Sequence, residues 1–216
     1  MLRFVLGSQS PRRRTLLQLL DCPFVVVAAD VDEQSVTELN PAMNALLTAK
    51  LKAVIIREGL DRTAYAADTI LVTADTTVAI DGRILGKPKN VADAWQMLQA
   101  LRGCTHQVHT GLTVVNLATG QELVDVHTAV VTMRPYTDAE IAAYIATGDP
   151  LDKAGAYGIQ HPQFRPVAAL EGCFTGVMGL SICHLVQTLL RWDILVPVTP
   201  ALVRAHQGYL CPLLPV

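Results

Sequence analysis

An excess of charge of either sign is missing from this sequence. Its 216 residues hold 17 Lys and Arg against 19 Asp and Glu, a formal net charge of −2, so no bulk field draws the chain onto a nucleic-acid backbone or an acidic membrane. Any anion must be held locally. Long hydrophobic runs are missing too. Although 51% of the residues are apolar, Asp, Arg, Pro or Gly interrupts each run before it reaches the roughly 20 residues that a bilayer span needs. A soluble protein with no membrane partner is expected. A signal peptide carries its positive residues ahead of its apolar stretch, whereas Arg12, Arg13 and Arg14 follow one here, which argues for the cytoplasm. No repeat or low-complexity linker divides the chain, so its length suits one generous domain or two lobes sharing a cleft.

Metal-type cysteine spacing is also lacking. Cys22, Cys104, Cys173, Cys183 and Cys211 are odd in number and nowhere form C-x-x-C, so reduced, buried thiols are expected over a disulfide framework or a zinc site. His106 and His109 make no ligand pair, because residues three apart on a strand point to opposite faces. There is no Walker-type glycine loop, and no motif suggests a Ser-His-Asp or Cys-His arrangement. Aromatic residues are only 5% of the chain and none is interleaved with Arg12 to Arg14, which removes the stacking platform of single-stranded nucleic-acid binders.

What is present starts at the N-terminus. Leu2, Phe4, Val5 and Leu6 read as a short buried strand, and Gly7-Ser8-Gln9 turns the chain into Ser10-Pro11. Ser10 suits the N-cap and Pro11 the first position of a helix, with Leu16, Leu17, Leu19 and Leu20 as its buried stripe. Arg12 and Arg13 then fall in the first turn, where the macrodipole favours anions and disfavours cations. Two guanidiniums, free N–H groups and the hydroxyls of Ser8 and Ser10 would together hold a phosphate chain.

Residues 24–29 read as a second strand ending in Asp30-Val31-Asp32-Glu33, and Asn40-Pro41 opens a helix to about Glu58 that puts Lys52 on the same side as Ala45, Ala49 and Ala53. Residues 70–74 predict a third strand with Asp75-Thr76-Thr77 at its carboxyl end. A hairpin turning at Asp81-Gly82 brings Gly86-Lys87-Pro88 back beside Asp75. A helix capped by Asn90, two long strands over 106–117 and 122–133, and a capping box at Thr137-x-x-Glu140 follow. Residues 152–160 are too glycine-rich for regular structure, residues 180–190 form a last apolar helix, and the proline-containing tail beyond Trp192 reads as an extended apolar arm. The pattern is α/β with a twisted mixed sheet and flanking helices, divided as a domain over 1–192 and an arm over 193–216.

The polar groups that sit at element ends or escape regular structure are Ser8, Ser10, Arg12, Arg13, Glu33, Lys52, Asp75, Lys87 and Gln160. Cations with two carboxylates suit hydrolysis of a polyphosphate: the cations neutralise the phosphates, while Glu33 and Asp75 hold a divalent metal and activate water.

In order, the runs LGSQSPRRRTLLQLL, VDE, AKLKA, TADTTVAIDGRILGKP, ALRGCTHQVHTGLTVV, PLDKAGAYGIQ and GVMGLS resemble the motifs of the Maf family of nucleotide pyrophosphatases. The resemblance implies an elongated α/β fold with two lobes around a cleft, similar to the inosine triphosphate pyrophosphatases. It implies hydrolysis of nucleoside triphosphates to monophosphate and pyrophosphate with a divalent cation such as Mg²⁺, Mn²⁺ or Co²⁺, typically by a homodimer. On it, Asp75 matches the proton acceptor, Ser10 and Arg13 the S-x-x-R element, and Glu33, Lys52 and Lys87 polar positions of the cleft. Arg12, Thr76 and Gln160 stand where subfamilies differ and are similar to the dTTP/UTP pyrophosphatases rather than the 7-methyl-GTP ones. Ser181 departs from the family's proline, His161-Pro162-Gln163 replaces a glycine-rich loop, and the tail lies outside the resemblance. A second role, as a nucleotide sensor or cell-division regulator, would not need the water-activating carboxylate of Asp75.

Overall fold

The computed structural model describes residues 2–28, 31–32, 35–60, 65 and 68–213. Seven strands and seven α-helices appear among them: β1 (Arg3–Leu6), α1 (Pro11–Gln18), β2 (Phe24–Val26), α2 (Pro41–Gly59), β3 (Thr69–Ile80), β4 (Arg83–Leu85), α3 (Val91–Leu101), β5 (Thr105–Asn116), β6 (Glu122–Met133), α4 (Asp138–Ala146), β7 (Val167–Glu171), α5 (Phe174–Met178), α6 (Ile182–Leu190) and α7 (Pro200–Ala205). The helix starts follow their local chemistry. The Asn40 side chain accepts from the amides of Ala42 and Met43 before α2, Asn90 accepts from Asp93 before α3, and Thr137 with Glu140 closes a reciprocal capping box on α4. No helix among the described residues is long and apolar enough to cross a membrane.

The strands form one mixed sheet in the order β2-β1-β3-β5-β6-β7, with β4 also on β3. Alternation along β1 sends Phe4 and Leu6 to one face and Val5 to the other, and both faces are covered. Phe4 and Leu6 pack with α1, α6 and the tail, while Val5 packs with Ala53 and Ile56 of α2. A further cluster gathers Val78, Val108, α3, α4 and Tyr157 around the far half of β3.

The register of β3 creates the opening that becomes the site. On one edge, β5 pairs with it from Ile70 to Ala79. On the other edge, parallel β1 pairs only as far as Val72 and antiparallel β4 only from Val78 onward. Among the described residues, no strand therefore pairs with residues 73–77 on that side. Both β1 and β4 end at this gap with their carboxyl termini, the place where open α/β sheets bind ligands.

Four local expectations change. Asp75 lies within a continuous strand rather than at a strand end, because β5 sustains the ladder through 75–77; what ends there is the neighbour on the other edge. The second strand is only Phe24–Val26. The tail is not extended throughout: Thr199 caps α7, accepting from Leu202, and its hydroxyl donates to Leu19 O at 2.7 Å, while Val196, Leu202 and His206 are buried. The segment 149–156 is two short 3₁₀ turns.

Candidate active site

The sheet gap opens into a cleft of about 780 Å³, lined by the β1–α1 turn, α2, the middle of β3, the Gly86-Lys87 exit of β4 and residues 152–160. Its first wall is built by close approach. A Cβ on Gly7 would stand 2.5 Å from both Ile56 Cδ1 and Thr73 Cγ2, so only glycine lets β1 leave the sheet between α2 and β3 while donating to Val72 O at 2.8 Å. Ser8 follows; its Oγ accepts from the Ser10 amide at 3.2 Å and from Arg13 Nη1 at 3.3 Å. Ser10 caps α1, accepting from the Arg13 amide. Arg13 also donates through Nε to Gly179 O at 2.8 Å, which fixes its guanidinium against the turn after α5.

The opposite wall is α2. A Cβ on Gly111 of β5 would lie 2.2 Å from Ala45 O, so the missing side chain is what lets the helix settle on the sheet at the residue directly opposite Asp75. The helix is held there by Thr73 Oγ1 donating to Ala49 O at 2.7 Å. Asn44, Thr48 and Lys52, four residues apart, then form a polar stripe that faces the cleft. Lys52 Nζ meets Asp75 Oδ1 at 2.7 Å, with the two side chains only 8% and 14% exposed.

Thr76 leaves β3 on the other face, where Oγ1 donates to Gly179 O at 3.3 Å and lies 3.3 Å from Thr110 Oγ1. Asp75 and Thr76 point to opposite faces of the pleat, yet both reach one cleft because the edge between them is open. Gly179 O thus receives both Arg13 and Thr76, tying the start of α1 to the centre of β3.

The remaining wall is the 152–160 segment. Arg12 Nη1 donates to Asp152 Oδ2 at 2.7 Å and Nη2 to Asp152 O at 3.4 Å, joining α1 to this segment. Lys153, 6% exposed, donates to Asp149 O at 2.6 Å, Asp149 Oδ1 at 2.8 Å and Asp152 Oδ1 at 2.7 Å. Partial burial opposes ionisation of Asp152, but the hydrogen bonds from Lys153 and Arg12 outweigh it and hold the carboxyl below the usual carboxylate range. Gln160 lies over Gly158, whose added Cβ would stand 3.2 Å from Gln160 Nε2. Lys87 is exposed on the β4 rim of the same cleft.

Of the residues singled out in the sequence, Ser8, Ser10, Arg12, Arg13, Lys52, Asp75, Thr76, Lys87 and Gln160 all line this one cleft, whereas Glu33 lies outside the described residues. Arg12 is engaged by Asp152, so it bridges two walls as well as lining the cleft. Sequence reasoning missed Asn44, Thr48, Asp152 and Lys153. The 44/48/52 spacing on a helix otherwise rich in alanine and leucine was a legible sign of the first two. His106 and His109 diverge as expected, to Tyr157 Oη at 2.7 Å and Thr128 Oγ1 at 2.9 Å.

The sequence model of the Maf family, described as Maf-like protein, matches residues 3–192. The chain belongs to the Maf family. This Maf protein is 42% identical over 189 residues to a protein of Moorella thermoacetica, covering 88% of this chain and 94% of that one. It is 43% identical over 187 residues to a protein of Syntrophotalea carbinolica, covering 87% and 83%, and 40% identical over 193 residues to one of Bacillus cytotoxicus, covering 89% and 97%. All three relatives are named dTTP/UTP pyrophosphatase. The family match ends at residue 192, so the tail carrying α7 has no counterpart in it.

Proposed function

We propose that this Maf protein hydrolyses dTTP and UTP to the monophosphate and pyrophosphate. The observation that supports it most is the Lys52–Asp75 pair at 2.7 Å, set in the sheet gap and facing the anion-favouring start of α1 across one cleft. The cleft volume falls in the ordinary range for small-ligand sites, roughly 300–1,000 Å³, and the names of the relatives supply the substrate.

The triphosphate lies along the N-terminus of α1, where the macrodipole favours negative charge. Arg13, held by Ser8 and Gly179, meets it on one side and Lys87 approaches from the other rim. Lys52 occupies Asp75 Oδ1 and so orients the carboxylate, and Oδ2 takes the proton from the attacking water. The water oxygen bonds to the α-phosphorus as the bond from that phosphorus to the bridging oxygen breaks, so pyrophosphate leaves with the bridging oxygen and the same cations receive its added charge. The donor chemistry of Asp75 fits a divalent cation, since Mg²⁺ and Mn²⁺ take hard oxygens and Mg²⁺ is commonly held by one or two carboxylates together with substrate phosphates. Asp75 and Glu33 would hold it, and its charge would neutralise the phosphate oxygens.

The Gln160 side chain reads the base. Its amide both donates and accepts, matching the alternating carbonyl and N–H edge of uracil and thymine, and Arg12 and Thr76 border the same space. The enzyme works as a cytoplasmic homodimer without nucleic-acid or membrane partners: the dimer is what the family resemblance implies, and the rest accords with the net charge of −2 and the interrupted apolar runs of the sequence. The test is a panel of nucleoside triphosphates with Mg²⁺, Mn²⁺ and Co²⁺, read as pyrophosphate release. kcat/KM should be highest for dTTP and UTP; a preference for 7-methyl-GTP, ATP or GTP would overturn the substrate assignment.

A further inference from the structure

We propose that Cys173, Cys183, His206 and Cys211 bind one structural zinc ion that fastens the C-terminal segment to the sheet domain. The four donors come from separate places in the chain. Cys173 precedes α5, Cys183 lies in the first turn of α6, His206 ends α7, and Cys211 follows in the tail. The fold nonetheless brings their ligand atoms within 4.8 Å of one another. Cys183 Sγ is 3.3 Å and Cys173 Sγ 3.8 Å from His206 Nε2. A tetrahedral zinc with its usual Zn–S and Zn–N bond lengths separates sulfur from nitrogen by about 3.6 Å and sulfur from sulfur by about 3.8 Å. The two sulfur–nitrogen distances bracket the first value, and with every pair of ligand atoms within 4.8 Å an adjustment of no more than about 1 Å brings the others to theirs.

The surrounding groups are set for a metal. His206 Nδ1 lies 2.9 Å from Leu202 O; a carbonyl only accepts, so Nδ1 carries the proton and Nε2 turns its lone pair toward the sulfurs. Thr175 Oγ1 accepts from the Ile182 amide at 3.1 Å, which leaves its proton for Cys173 Sγ at 3.1 Å, a donor suited to a thiolate. Cys173, Cys183 and His206 are at most 2% exposed, inside the apolar cluster that includes Leu180, Ile182 and Leu202.

The donor set also selects the ion. Three thiolates with one imidazole suit zinc rather than magnesium or calcium, and four protein ligands complete its coordination, as in structural rather than catalytic sites. None of the four lines the cleft. On binding, each of the three thiols gives up its proton to solvent, while His206 coordinates as the neutral imidazole. All five cysteines are free thiols here. The spacing in sequence, with gaps of nine, 22 and four residues, hides the site from any motif search and is the reason reduced, unliganded thiols were expected. Two of the four ligands, His206 and Cys211, lie beyond the stretch that matches the family, so the tail supplies half of the site.

The test uses the full chain, purified without chelator and dialysed, with metal content measured by elemental mass spectrometry. About one zinc per chain is expected, as for a single closed four-ligand site. Cys211→Ser and His206→Ala should each lose most of it and lower the melting temperature, whereas Asp75→Asn should retain it, which separates this ion from any held in the cleft. Replacement by Co²⁺ gives a readout independent of variants: thiolate-to-cobalt charge-transfer absorption in the near ultraviolet with intense tetrahedral visible bands. The proposal is overturned by wild-type protein without stoichiometric zinc that gives no such bands with Co²⁺. It is equally overturned by zinc content unchanged in both ligand variants, or by a native disulfide between any two of these cysteines.

Discussion

Asp75→Asn perturbs the proposed chemistry and a buried ion pair at once, and the two effects separate cleanly. Asparagine keeps the shape of the side chain and removes its charge. Loss of a positioned general base should lower kcat by about 10²–10⁴-fold. The partner, Lys52, has a side chain only 8% exposed, and the substitution breaks a buried ion pair, so the variant should also be less stable than wild type. For a chain of this length each kcal/mol lost lowers the melting temperature by roughly 2–4 °C, which thermal unfolding resolves. The double variant Asp75→Asn with Lys52→Met removes both charges and should recover much of that stability, but none of the turnover. The assays are thermal unfolding and single-turnover pyrophosphate release with dTTP, run well below the lower melting temperature. Nucleotide affinity should change much less than kcat, since Arg13 and Lys87 remain. A single variant with a large share of wild-type turnover, or a double variant that regained activity together with stability, would refute the base assignment.

Three further outcomes follow from particular contacts. Gln160→Ala should erode the preference for dTTP and UTP by about tenfold, the value of roughly one lost hydrogen bond, with pyrophosphate still released; competition kinetics between dTTP and dCTP read this. Gly111→Ala places a methyl group 2.2 Å from Ala45 O and must lift α2 from β5, so it should cost about 1–3 kcal/mol and lower kcat through Lys52, whereas Gly59→Ala, with nothing within 4 Å, should do neither. Burial pushes His106 down from 6.5 to about 4, so the folded state resists protonation that the unfolded chain accepts. Its contribution is fully present above pH 6.5 and fades as pH falls toward 4, by an amount on the order of 3 kcal/mol; His106→Gln should flatten that part of the stability profile in denaturant titrations from pH 7 to 4.

Elements whose determinants are local were legible in the sequence. The Ser10-Pro11 cap, the Asn40-Pro41 start and the Thr137 capping box each depend on neighbours within a few residues, and all three helices begin there. Most of the cleft was legible for the same reason, since the turn after β1 and the helical spacing of Lys52 are local patterns. Asp75 was placed at a strand end because a buried apolar run stops at Ala74; the strand continues because β5 supplies a partner past that point, which periodicity within β3 does not encode. Gly111 gave no sign of its role, since what it avoids is a carbonyl of a helix 66 residues earlier in the chain. Asp152 and Lys153 were overlooked because their pairing depends on α1 and on 3₁₀ turns whose course the glycines leave open. The thiol cluster was the furthest from reach: its geometry exists only once β7, α6 and the tail have packed around one apolar cluster.

The most direct test of the proposed activity is the product spectrum of dTTP turnover, followed by phosphorus NMR on the wild-type protein with Mg²⁺ or Mn²⁺. The expected result is dTMP and pyrophosphate formed in equal amounts from the first minutes, with no dTDP and no orthophosphate, and none of these products from the Asp75→Asn variant on the same timescale. Accumulation of dTDP with orthophosphate, or dTTP left intact by protein that binds it, would contradict hydrolysis between the α- and β-phosphates.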